Sequence, residues 1–264
     1  MEKKFVTVDS NKIAYKETGR GEAVVLLHGF CGSSSYWDAI QTYLPSDYRF
    51  IFPDLRGHGD SDAPDGSYSM DVMADDMDRL LQQLGVEKAT LLGHSLGGYV
   101  SLAFAERHME KLTRFGFIHS TALPDDEKGK EGRLNSMKTI REQGLNVFVN
   151  GLIPKLFAPA HVEQMTDRVE AAKKIGYGTH PDGAIRTLEG MRTRPDRSQV
   201  ILDAKVPVLL VAGEHDQLIS RERAFSATSN YATQHVIPKA GHMSMMETPK
   251  QLAEVIHAFL KVSG

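Results

Sequence analysis

The chain has a single cysteine, Cys31, and a single tryptophan in 264 residues. A lone cysteine excludes an intramolecular disulfide framework and a metal centre built on several thiolates. A surplus of one charge is missing too: 31 Lys and Arg against 34 Asp and Glu leave a net charge of -3, with the signs interspersed. With no basic stripe to follow a phosphate backbone, nucleic acid is not an expected partner. No apolar run approaches the roughly 20 residues that a membrane helix needs. The opening MEKKFVTVDS is positively charged but has no apolar segment behind it, so no signal peptide is expected and the chain reads as cytoplasmic. What remains, 41% hydrophobic and 25% charged residues, is enough for one large core with a small accessory lobe.

Two alternating segments, Phe5 to Val8 and Lys12 to Glu17, flank Asp9-Ser10-Asn11 and read as a hairpin. Ala23 to Leu27 is then continuously apolar, and the pattern returns at Phe50 to Phe52, Ala89 to Leu92, Phe115 to Ile118 and Val206 to Ala212. Short runs of this kind suit strands covered on both faces of a parallel sheet. Between them lie helical patterns. Met70, Met73, Met77, Leu80, Leu81 and Leu84 recur at three- and four-residue spacing until Gly85 stops the helix. A last helix is announced by Thr248 as cap, Pro249 in the first turn, and Leu252, Val255, Ile256 and Phe259 along one face. Alternation of strand and helix predicts an α/β fold, a largely parallel sheet with helices on both faces. From Thr121 to Ser198 the rhythm breaks: amphipathic helical patterns interrupted by Gly and Pro contain no convincing strand. Residues 121–198 therefore read as a helical insertion in a core formed by 1–120 and 199–264. There is no internal repeat and no low-complexity tract.

The sharpest chemical signal is Gly93-His94-Ser95-Leu96-Gly97, at the end of an apolar strand and followed by a helix-forming stretch from Tyr99 to Arg107. This is the G-x-S-x-G pattern in the context it needs. A serine projected from so tight a turn must take a strained backbone conformation, and the positions two before and two after must be small. The turn also sets Ser95 at a helix N-terminus, where free N–H groups favour developing negative charge.

A nucleophilic serine needs a base, and the base an orienting acid, which follow it in the order serine, acid, histidine. Val206 to Ala212 runs into Gly213-Glu214-His215-Asp216, and Asp216 is the candidate acid. Glu214 competes locally, as do Asp125 and Asp126 after the Phe115 to Ile118 run. Ala240-Gly241-His242 follows the next strand, near His235 to Pro238, and His242 is the candidate base. An oxyanion would be held by the backbone N–H of Leu96 and by that of Phe30 in His28-Gly29-Phe30-Cys31-Gly32.

Of the other histidines, His28 and His94 read as loop-packing residues with backbone partners and His58 as structural. His119 ends a strand where it can line a pocket, and His215 adjoins the acid but suits no triad. His108, His161, His180, His235 and His257 read as surface or insertion residues. No metal-ligand spacing or cofactor motif occurs, so neither a metal nor a cofactor is expected.

HGFCGSSSYW, PDLRGHGDSD, GHSLGG, GEHD and AGH, in that order across nearly the whole chain, resemble the α/β-hydrolase family and its compact serine carboxylesterases most closely. The resemblance implies eight core strands with the first pair antiparallel. It also implies that residues 121–198 are a helical cap and that Ser95, His242 and Asp216 act with the oxyanion donors already named. Position 95 being serine disfavours relatives with an aspartate nucleophile, such as haloalkane dehalogenases and epoxide hydrolases. The menaquinone-pathway synthase carries arginine directly after the elbow glycines, where this chain has Tyr99. That synthase, perhydrolases, carbon–carbon hydrolases and hormone receptors of this fold all keep the serine and remain alternatives.

The expected function is hydrolysis of carboxylic esters with small to medium acyl groups, a small molecule being the partner. Phe30, Leu96 and Met243 are the expected apolar wall beside the nucleophile, joined by His119. Leu123, Leu152, Ile153 and Phe157 are the expected contributions from the insertion.

Overall fold

The computed structural model describes residues 1–262. A single sheet of eight strands runs through it in the order β1-β2-β4-β3-β5-β6-β7-β8. Strands β1 (Lys3–Val8) and β2 (Asn11–Thr18) form the expected hairpin. Asp9 and Ser10 both take positive φ, 46° and 70°, the backbone hand that lets a two-residue turn match the twist of its strands. β2 also runs antiparallel to β4 (Tyr48–Pro53). The remaining pairings are parallel and join β3 (Glu22–Leu27), β4, β5 (Ala89–His94), β6 (Leu112–Ile118), β7 (Val208–Gly213) and β8 (Ala232–Ile237). β5 and β7 are buried at every position, which is why apolar residues run along both of their faces rather than alternating with exposed polar ones.

Helix α1 (Met70–Gln83) is capped by the Ser69 side chain, which accepts from the Val72 N–H, and gives way at Gly85 with φ +65°. Its methionine and leucine stripe is buried. α2 (Leu96–His108) follows β5 directly. Between β6 and β7 the chain forms α3 (Glu127–Gln143), α4 (Leu145–Leu156), α5 (Pro159–Gln164), α6 (Thr166–Tyr177) and α7 (Pro181–Arg192), with no strand among them. α3 packs on α4 and α7, and α4 on α6. α8 (Ser198–Leu202) leads back to the sheet; α9 (Arg221–Ala224), α10 (Ser244–Glu247) and α11 (Pro249–Leu260) complete the chain. The expected Thr248 cap is different in detail. Its hydroxyl makes no capping bond and instead reaches the Ser244 carbonyl at 3.5 Å, because α10 runs straight into α11.

Among the described residues no helix is long and apolar enough to cross a membrane, and no three His, Cys, Asp or Glu side chains are grouped as metal ligands.

Candidate active site

Ser95 sits at the turn from β5 into α2 with φ 49° and ψ -110°, a conformation that costs on the order of 1–3 kcal/mol and persists only where its surroundings enforce it. The enforcement is visible. The Ser95 N–H donates to the Ile118 carbonyl at 3.0 Å, and the Ser95 carbonyl accepts from Gly98 N–H at 2.9 Å and from the Ser120 hydroxyl at 2.8 Å. A Cβ on Gly93 would overlap the Gly97 carbonyl. Gly97 is small for another reason: its own Cβ would meet the Leu27 and His28 carbonyls at the end of β3.

Asp216 and His242 come from the loops after β7 and β8 and meet in the interior. Asp216 Oδ2 lies 2.7 Å from His242 Nδ1, while Oδ1 accepts the N–H groups of Leu218 and Ile219 at 2.9 and 3.0 Å. Both side chains are almost wholly shielded from solvent. Burial alone would raise the Asp216 carboxyl, but the facing His242 and His119 imidazoles hold it far below the usual carboxylate range. The His242 backbone is fixed by its N–H donating to the Leu156 carbonyl at 2.7 Å. Its Nε2 makes no hydrogen bond. Ser95 and His242 line one cavity of about 590 Å³ without a hydrogen bond between their side chains.

The competing carboxylates are occupied elsewhere. Asp125 is gripped by Arg133 at 3.0 Å and Arg194 at 2.8 Å, Asp126 caps α3 through the Gly129 N–H at 2.7 Å, and Glu214 accepts from the Lys239 N–H at 2.8 Å in an exposed position. None of them touches His242. Phe30 and Leu96 hold their N–H groups free of any acceptor among the described residues. Leu96 does so because it opens α2, whose first amides have no intrahelical partner.

Of the residues expected in the wall, Phe30 and Leu152 line the cavity. Leu96, Ile153, Phe157 and Met243 are fully buried in the core behind it, and half-buried Leu123 stands outside it. His119 likewise lies behind the cavity rather than in it. It is 1% exposed, its Nε2 is 2.7 Å from Ser244 Oγ, and its Nδ1 is 3.5 Å from Asp216 Oδ2. Desolvation keeps it below the ordinary histidine range, as it does His94, whose Nε2 bonds the His242 carbonyl at 2.8 Å. His28 and His58 find backbone partners in the β3 and β4 loops. The rest of the wall was not anticipated: Tyr99, Leu156, Met191, Gln217, Leu218 and Ile219, with a charged group of Asp125, Asp126, Lys128, Arg133, Arg194 and Arg223. Gln217, Leu218 and Ile219 follow Asp216 in that order, and that adjacency is their one available signal.

Comparison with known proteins agrees with the fold. A family profile described as the alpha/beta hydrolase fold matches residues 22–249. A thermophilic esterase from Thermogutta terrifontis superposes with a TM-score of 0.92 at 29% identity, over 99% of this chain and 98% of its own. A Bacillus subtilis protein that carries the name 2-succinyl-6-hydroxy-2,4-cyclohexadiene-1-carboxylate synthase is 30% identical over 94% of this chain and 93% of itself. An enol-lactonase from Burkholderia xenovorans LB400 shares the fold, with a TM-score of 0.91 at 22% identity over 98% and 100% of the two chains. The chain belongs to the α/β-hydrolase family.

Proposed function

We propose that the protein hydrolyses carboxylic esters with small to medium acyl groups, with Ser95 as nucleophile, His242 as base and Asp216 as orienting acid. The observation that carries this reading is the buried 2.7 Å contact between Asp216 and His242 Nδ1, with Nε2 left free at a cavity shared with Ser95. Asp216, held as a carboxylate, fixes the tautomer with the proton on Nδ1 and the lone pair on Nε2. His242 takes the Ser95 Oγ proton as the oxygen attacks the ester carbonyl, and the tetrahedral oxyanion rests on the Phe30 and Leu96 N–H groups. The imidazolium returns the proton to the leaving alcohol. Water, deprotonated by the same histidine, then releases the acid from the acyl-enzyme. Helices α3 to α7 act as the cap, since α4 supplies Leu152 and Leu156 and α7 supplies Met191 to the cavity wall.

The esterase and enol-lactonase among the structural neighbours favour acyl transfer to water. The name of the Bacillus relative points towards a lyase, but Tyr99 stands where the synthase carries arginine, which speaks against that chemistry here. The test is a panel of aryl esters of rising acyl length together with a fluorophosphonate probe. Repeated turnover and labelling confined to Ser95 are expected. Stoichiometric single-round cleavage, or turnover by purified Ser95→Ala, would sink the proposal.

A further inference from the structure

The charged part of the cavity wall is out of balance. Lys128, Arg133, Arg194 and Arg223 face only two carboxylates, Asp125 and Asp126, so the wall carries an excess of two positive charges. The carboxylates are already committed. Asp125 divides its oxygens between Arg194 Nη1 at 2.8 Å and Arg133 Nε at 3.0 Å, and Asp126 serves the first turn of α3. Arg194 is consumed by the fold: its Nη1 and Nη2 donate to the Met191 and Leu123 carbonyls at 2.7 and 3.1 Å, and its guanidinium lies 3.9 Å from the centre of the Tyr99 ring. Its Nε is buried without any partner. Arg223 is different. One of its N–H groups donates to the Pro124 carbonyl at 3.2 Å, and no carboxylate of the described residues pairs with it. A planar donor fork without a counter-ion, set in a concave wall, is the arrangement that captures a carboxylate.

The location ties this charge to the chemistry. Tyr99 is one helical turn on from Ser95, so the two share a face of α2, and Arg194 stacks on that tyrosine. The same cavity is apolar at Phe30, Leu152, Leu156, Leu218 and Ile219. A substrate fitted to it has an apolar stretch around the scissile ester and an anionic group beyond.

We infer that the preferred substrates are esters bearing a second, free carboxylate, such as half-esters of dicarboxylic acids, with Arg223 as the main contact for that carboxylate. The inference rests on the proposed ester hydrolysis. Water adds across the ester bond, the alcohol leaves, and the product is a dicarboxylate; the free carboxylate takes no part in bond making.

The experiment compares monoethyl esters of linear dicarboxylic acids, from malonate to suberate, with neutral ethyl esters of matched length, following ethanol release. At the best chain length the half-ester should have a kcat/KM about tenfold above its neutral match, the worth of one hydrogen bond to a charged group. Raising the salt from about 0.05 to 1 M should erode that advantage, because screening weakens the charge contact and leaves the neutral ester nearly untouched. Arg223→Gln should collapse the ratio mainly through KM, and Arg223→Lys should restore part of it. Should the glutamine variant not fold, the salt series on the unmodified protein decides the matter. Equal or better turnover of neutral esters at every length would overturn the inference while leaving the esterase reading intact. No turnover of either series, with no fluorophosphonate labelling, would take down both.

Discussion

Glu247 holds the backbone on both sides of His242. Its Oε2 accepts the N–H groups of Gly241 and Met243 at 2.9 and 3.1 Å, while Oε1 accepts from the Ala158 N–H at 2.6 Å and from His161 Nδ1 at 2.9 Å. One buried carboxylate therefore ties the loop that presents the imidazole to the insertion between β6 and β7. Glu247→Gln would turn an N–H towards another N–H in a site closed to water, at a cost of about 2–4 kcal/mol. The expected result is a lower melting temperature, with kcat and the rate of fluorophosphonate labelling falling together as the His242 loop loosens. An unchanged labelling rate in the folded variant would mean that the Leu156 carbonyl alone is enough to seat the histidine.

Substitution of the acid distinguishes the carboxylates near the cavity. Asp216→Asn is expected to cut kcat by about ten-thousand-fold, through the wrong histidine tautomer. Asp125→Asn, Asp126→Asn and Glu214→Gln should each change kcat far less, because none of these groups contacts His242. A dead variant among those three would move the acid to another loop.

Much of this arrangement could be read from the chain, because the relevant physics is local. The crowding at Gly93, the strand before Ser95 and the helix after it all lie within a few residues, and continuous apolar runs mark buried strands wherever they fall. The partners that surround Asp216 and His242 are another matter. His119 meets Ser244 across 125 positions and Ala158 meets Glu247 across 89, and no periodicity encodes such encounters. The wall was misjudged for a related reason. Ile153, Phe157 and Met243 have the right chemistry, but an apolar pattern says which residues are buried, and not which of the buried ones border a cavity. Nothing in the local pattern marks Arg194 and Arg223, whose partners Leu123 and Pro124 lie 71 and 99 positions away.

Cys31 gives a test of the loop proposed to hold the oxyanion. It is fully buried, takes φ +53°, and leads its neighbour Phe30 into the cavity wall. Burial pushes its thiol up, far from the thiolate form. Iodoacetamide at pH 8 should therefore leave the native protein unmodified and active, and should alkylate Cys31 only in denaturant. Cys31→Ser should keep near-normal turnover. Rapid native alkylation with loss of activity would show that this loop opens far more readily than its burial implies.

The steepest expected effect of pH is on stability rather than chemistry. His28, His58, His94 and His119 are all buried, and desolvation holds each below its ordinary value, His58 down to about 3. In the unfolded chain each titrates near 6.5. Between the folded and unfolded values the unfolded state binds protons that the native state refuses, so stability rises with pH in that window. The contribution is complete above about pH 6.5 and is lost as pH falls below it, at up to about 1.4 kcal/mol per pH unit for each histidine. Asp54 and Asp216, both held below the usual carboxylate range, add a loss in the same direction, but only below about pH 4. The urea midpoint should therefore fall as the pH is lowered from 7.5 to 5, with a linkage slope to which each of the four histidines contributes at most about one proton, at constant m-value. His58→Gln should lower that slope by about one. A flat profile across this range would mean that these imidazoles carry their protons in the folded state, and the packing around them would have to be different from that described.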